Sequence, residues 1–155
     1  MPNQLIGDIN DLVSTLEKIG GGSVKFVNDS MHDLMTEVQI ESKARAPVEH
    51  GQLENSIKIT NSNRRQTWSV YVDEDMPDDT GKYTVGDYAL IMHERFYSLG
   101  KDSRDKAAGN GKDVGRKYLE NPFFEIINST AVNDLQSKLA AELDRRAAAK
   151  SGGSF

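Results

Sequence analysis

The stretch Lys43-Ala44-Arg45-Ala46-Pro47-Val48-Glu49-His50-Gly51-Gln52-Leu53-Glu54-Asn55-Ser56-Ile57 reads as a helix that stops and hands over to an extended chain. Ala44, Arg45 and Ala46 favour helix, Pro47 pushes Ala46 out of the helical region, and Gly51 supplies a left-handed turn before an extended run opens at Leu53. Upstream, Val27, Met31, Leu34, Met35 and Val38 recur at three- and four-residue spacing after Ser23, a plausible N-cap, so a long amphipathic helix runs as far as Ala46. Downstream, Leu53, Ile57 and Ile59 share one side of an alternating run, and Asn61-Ser62-Asn63 offers turn residues. The return strand is Gln66 to Asp73, with Trp68, Val70 and Val72 on one face and Ser69 and Tyr71 on the other. The quoted stretch therefore joins a long helix to an antiparallel sheet, and the fold class is α+β.

Working outward, Leu5, Ile9, Leu12, Val13, Leu16 and Ile19 define a first helix over residues 1–19, free to move about the Gly20–Gly22 joint. Asp73 to Gly86 is a long polar connection carrying Pro77 and Gly81, with Tyr83 and Val85 adding a strand at its far end. Asp87 to Phe96 fits a short helix through Tyr88, Ile91 and Met92, or a strand through Ala89, Ile91 and His93, and periodicity leaves both open. Residues 101–114 have almost no apolar content and include Gly109 and Gly111, which predicts a flexible loop. Asn121 as N-cap and Pro122 at the first helical position start a C-terminal helix with Phe123, Ile127, Ala131, Leu135, Leu139 and Leu143 along it. Residues 150–155 are expected to form a disordered tail. The expected architecture over residues 1–155 is a single domain: two N-terminal helices, a small antiparallel sheet of three or four strands with long polar loops, and a C-terminal helix packed on the sheet.

A formal charge of −5 argues against a dedicated nucleic-acid binder, for which a net basic face is expected. The chain has no cysteine, which removes disulfides and thiolate metal sites. No apolar run reaches the length of about 18 residues that spans a bilayer, and the N-terminus has no secretory pattern, so a cytoplasmic folding history is expected.

His32, His50 and His93 show no metal-binding spacing. His93 beside Glu94 is the best pair for acid–base chemistry, yet no nucleophile or oxyanion hole accompanies it, so a role in anchoring the base of a loop is preferred. Asp73, Glu74, Asp75, Asp78 and Asp79 cluster carboxylates without the ligand spacing of a calcium loop. Gly109-Asn110-Gly111-Lys112 lacks the arrangement of a phosphate-binding loop. Arg95, Lys101, Arg104, Lys106, Lys112, Arg116 and Lys117 make the later loop basic where the earlier one is acidic. Opposite charge on two loops suits a head-to-tail ring in which each subunit's basic loop faces its neighbour's acidic one. No catalytic, cofactor or metal site is expected.

Three fragments carry a resemblance: Ala44, Arg45, Ala46, Pro47, Val48, Gly51, Leu53, Ser56 and Ile57; then Tyr88, Ala89, His93 and Glu94; then Lys117, Tyr118, Leu119, Glu120 and Pro122. In this order the chain resembles the small head–tail joining proteins of long-tailed bacteriophages, the tail-completion or neck family and its minor-capsid relatives. It departs from them in having His50 where a Thr is usual, and in a longer insertion between Leu99 and Val114. The resemblance implies a non-enzymatic virion protein of the head–tail junction, assembled in the host cytoplasm. It would form a homo-oligomeric ring, a hexamer, between head connector or stopper proteins and the tail terminator or tube. DNA would pass through the lumen without specific binding, and no membrane is involved. Under it, Pro47 and Gly51 fix the helix-to-sheet turn, Tyr88, His93 and Glu94 anchor the later loop, and the charged loop residues carry assembly. The alternatives are a tail terminator or minor capsid protein, a host-directed binding module, or a small hydrolase using His93 and Glu94.

Overall fold

A computed structural model describes residues 22–48, 50–62 and 67–151. The expected first helix and the C-terminal tail beyond residue 151 lie outside the described residues, as does most of the triple-glycine joint. The element order is α1 (Gly22–Arg45), α2 (Gln52–Ser56), β1 (Ile57–Ser62), β2 (Thr67–Val72), α3 (Gly86–Glu94), α4 (Lys101–Asn110), α5 (Glu120–Ile127) and α6 (Thr130–Ser151). The fold is α+β, with six helices and a two-stranded antiparallel sheet among the described residues. None of these helices is long and apolar enough to cross a membrane.

The chain divides into two compact units. One comprises Met1–Asp33 with Asn128–Phe155; in it Val27 and Leu139 form a small buried cluster, with Phe26, Met31 and Leu143 packed against it. The other, Leu34–Ile127, contains the sheet. Its core is Ala46, Leu53, Ile57, Val85, Ala89 and Tyr118, with Val70, Val72, Met76 and Met92 among the half-buried residues around them.

The long helix expected to Ala46 is α1, and Val27, Leu34, Met35 and Val38 are buried at the predicted spacing. Beyond Gly51, whose φ of 85° is left-handed, the chain makes one more helical turn before it extends. Leu53 and Ile57 stand four apart, a spacing that a helix and a strand satisfy equally, so the alternation at Leu53 was in fact the helical turn α2. The hairpin then pairs Ile57 with Val72, Ile59 with Val70 and Asn61 with Trp68. Side chains alternate in burial along β1, as a sheet with one covered face requires.

Three further expectations of the sequence are corrected. The third and fourth strands are absent among the described residues: Tyr83 and Val85 belong to a hairpin with an isolated bridge between Pro77 and Thr84. Its backbone is satisfied locally, Val85 N–H donating to Met76 O and Gly86 N–H to Glu74 O, and the Asp78 carboxylate accepts from the N–H groups of Thr80 and Tyr83. The flexible loop over residues 101–114 contains α4, which starts after Gly100 and ends on the left-handed Gly111, whose N–H donates to Ala107 O. The C-terminal helix is two helices, separated at Asn128-Ser129, where the Ser129 hydroxyl accepts the Ala131 N–H as an N-cap for α6.

Candidate functional site

The site is built where the three sequence fragments meet, inside Leu34–Ile127. The Tyr118 ring is 1% exposed within the core, and its hydroxyl donates to Ala89 O at 3.2 Å, tying the third fragment to the second. Burial pushes the Tyr118 phenol well above its ordinary range, which keeps it a neutral donor. Lys117 N–H donates to His93 O at 2.8 Å, and Gly115 N–H donates to Arg45 O at 3.0 Å. Arg45 grips both Glu125 oxygens and lies 3.6 Å from Glu41, joining the first fragment to α5. The hydrogen bond from Arg45 holds the Glu125 carboxyl below the usual carboxylate range.

Helix α4 completes this assembly through polar contacts. The ammonium of Lys106 donates to Lys43 O, to Ala46 O at 3.0 Å and to Glu54 at 2.8 Å, and Asn110 donates to Ala44 O at 2.9 Å. These are carbonyls at the end of α1, which a helix leaves without partners and which the helix dipole makes attractive to a cation. Ser103 adds a reciprocal pair, accepting from Val48 N–H and donating to Val48 O, each at 2.9 Å. Lys112 reaches Glu41 at 2.8 Å.

His93, Glu94, Lys117 and Glu120 form a compact charged group. His93 Nδ1 lies 2.7 Å from Glu94 Oε1, and its ring meets Tyr118 edge-on at 5.1 Å. Lys117 lies 2.8 Å from Glu94 and 2.7 Å from Glu120, and its hydrogen bond holds the Glu94 carboxyl below its ordinary range. Lys117 has a φ of 60°, a left-handed conformation that a side chain adopts at a cost. The ligand-type atoms of His93, Glu94 and Glu120 fall within 4.8 Å of one another, a spacing at which a metal ion would fit. The ammonium of Lys117 already stands between the two carboxylates and offsets part of their charge. His93 Nε2 is buried without a hydrogen-bond partner among the described residues. These contacts tie the end of α3 to Lys117 and to Glu120 at the start of α5.

The remaining charges sort by partner. In the acidic hairpin, Asp73 pairs with Lys58, Asp79 lies 3.2 Å from His50, and Asp78 caps the turn at Thr80. Burial raises the Asp78 carboxyl, but hydrogen bonds from Thr80, Tyr83 and Gly81 outweigh it and its pKa falls below the ordinary value. In the basic set, Lys101 pairs with Asp105, and Arg104 donates to Leu99 O. Pro47, His50, Asp79, Tyr88, Tyr97 and Ser103 line a cleft of about 690 Å³, which brings the turn of the first fragment beside the acidic hairpin and the start of α4.

The sequence reading missed the exposed apolar residues. Leu90 is 70% and Phe96 85% exposed, with Ile91 and Tyr83 also outside and the Arg116 guanidinium 3.7 Å above the Phe96 ring. The signal was present: Tyr88, Ala89, Leu90, Ile91 and Met92 in so short a helix exceed what one buried face accepts.

A family model described as "Bacteriophage HK97-gp10, putative tail-component" matches residues 10–87 of the chain. That span takes in the first fragment and ends where α3 begins. No curated protein and no solved structure matches.

Proposed function

This chain belongs to the HK97-gp10-like family of bacteriophage tail components, and from that membership we propose that it acts at the head–tail junction as a tail-completion or neck protein. A tail component is a virion-associated structural protein, and nothing in the geometry around His93 and Glu94 calls for turnover. In this reading copies of the chain close into a ring, a hexamer, between the head connector and the tail terminator or tube, and DNA passes through without sequence-specific contacts.

The observation that carries the reading is what the sheet-bearing unit leaves outside. Among the described residues many of its charged side chains are paired within the chain, while Leu90 and Phe96 stand in solvent at 70% and 85% exposure. Large apolar side chains left exposed beside a polar rim mark protein contacts rather than a solvated surface. The test mixes the purified protein with heads and tails separated from one another. Joined particles and a defined oligomer by native mass measurement are expected; a strict monomer that joins neither would overturn the assignment. Replacing His93 and Glu94 together by Ala should weaken joining, whereas a hydrolytic activity abolished by that change would favour an enzyme.

A further inference from the structure

Pairing within the chain separates the charges that hold the fold from those left over for a partner. Of the seven basic residues between Arg95 and Lys117 singled out in the sequence, Lys101, Lys106, Lys112 and Lys117 are each matched by a carboxylate. Among the described residues Arg95, Arg104 and Arg116 have no carboxylate partner, and Arg104 spends its guanidinium on Leu99 O. Of the five acids between Asp73 and Asp79, Asp73, Asp78 and Asp79 are engaged by Lys58, Thr80 and His50. Glu74 and Asp75 remain, both exposed and without a cation among the described residues.

The two leftovers differ in sign, and each lies on a built support. Arg95 and Arg116 flank Phe96, with the Arg116 guanidinium stacked 3.7 Å from the ring centroid, so an exposed aromatic is already oriented by a cation. Glu74 and Asp75 lie at the base of the 73–86 hairpin, held by the bond from Gly86 N–H to Glu74 O at 3.0 Å and by the Pro77–Thr84 bridge. The same hairpin exposes Tyr83 by 63%. Aromatic and arginine side chains on a preformed surface are the residue types that dominate binding energy at protein interfaces.

We propose that a second copy of this chain docks the Glu74–Asp75 side of its hairpin onto the Arg95–Phe96–Arg116 face of its neighbour. The two surfaces are different patches of one chain, so the contact is head-to-tail, and repetition generates a ring when the rotation closes. The inference rests on the ring reading above and adds which surfaces meet.

The test uses the full chain in four forms: unchanged, Glu74→Arg with Asp75→Arg, Arg95→Glu with Arg116→Glu, and Phe96→Ala. All the substituted side chains lie at the surface, and circular dichroism checks that each form folds. The unchanged protein should form an oligomer that dissociates as salt is raised. Each charge-reversed form alone should associate at least about tenfold more weakly, as should Phe96→Ala. An equimolar mixture of the two reversed forms should reassociate, because every reversed hairpin then finds a reversed face of opposite sign. If the reversed forms assemble like the unchanged protein, or their mixture stays apart, this interface is wrong while the ring reading stands. If the unchanged protein stays monomeric even with tails present, both fall.

Discussion

Tyr118 shows how one residue links fragments far apart in sequence. Its ring fills the core and its hydroxyl donates to Ala89 O, so two losses can be separated by substitution. Tyr118→Phe removes one buried hydrogen bond and should cost about 1 kcal/mol in urea denaturation. Tyr118→Ala removes the ring as well and should cost about 3–5 kcal/mol. Two glycines give opposite expectations. A Cβ at Gly86 would stand 2.9 Å from Glu74 Cβ and 3.1 Å from its carbonyl oxygen, so Gly86→Ala must displace the hairpin base, at about 1–3 kcal/mol. A Cβ at Gly109, inside α4, would meet nothing within 4 Å, and the backbone there is ordinary helix, so Gly109→Ala should stabilise by about 0.5–1 kcal/mol. Thermal and urea midpoints of the two variants should move in opposite directions.

At the scale of elements, α4 explains why a segment with little apolar content is ordered. Its hold on the end of α1 runs through Lys106, Asn110 and Ser103, contacts that hydrophobic periodicity does not register. Lys101–Asp105 adds an i,i+4 pair and Ala107 and Ala108 favour helix. Amide hydrogen exchange over residues 101–110 should therefore be protected, and Lys106→Met should raise it while lowering stability by about 1–3 kcal/mol. Rapid exchange of these amides in the unchanged protein would contradict the docked helix. Elsewhere the elements were legible to different degrees. The long helix α1 and the β1–β2 hairpin follow from repeated apolar spacing. The helical state of α3 did not, since its short apolar run fits both periods; Asp87 reaching back to Thr84 N–H at 2.7 Å secures its first turn. The interruption at Asn128-Ser129 was visible as a run of cap-forming residues, but the apolar spacing continued across it.

For the whole molecule, acid is the condition that should separate folded from unfolded chain. Arg145 first, and Arg146 with it, hold the Glu142 carboxyl at about 2, against an ordinary value of 4.5. Glu94 and Glu125 are lowered too, chiefly by Lys117 and Arg45. A carboxyl with a depressed folded pKa contributes stability that is present above its unfolded pKa and lost as pH falls through the folded one. Denaturant midpoints should therefore decline from about pH 4.5 toward 2, and Glu142→Gln should flatten part of that decline. A decline of equal steepness in the variant would assign the acid loss to other groups.

By itself the sequence determined the α+β class, the long helix that stops before Pro47, the pairing of the Ile57 and Val70 strands, and the three fragments that carry the family resemblance. Each of these is written in local spacing or in backbone restrictions at proline and glycine, which act within a few residues. The tertiary structure alone decided that the basic segment is a helix clamped on the end of α1, and that four lysines of that set are matched within the chain while Arg95 and Arg116 have no carboxylate partner among the described residues. Whether a charge is matched depends on a partner brought from 3 to 71 positions away, as Lys117 with Glu120 and Lys112 with Glu41 show, and the distant matches exist only once the chain has folded.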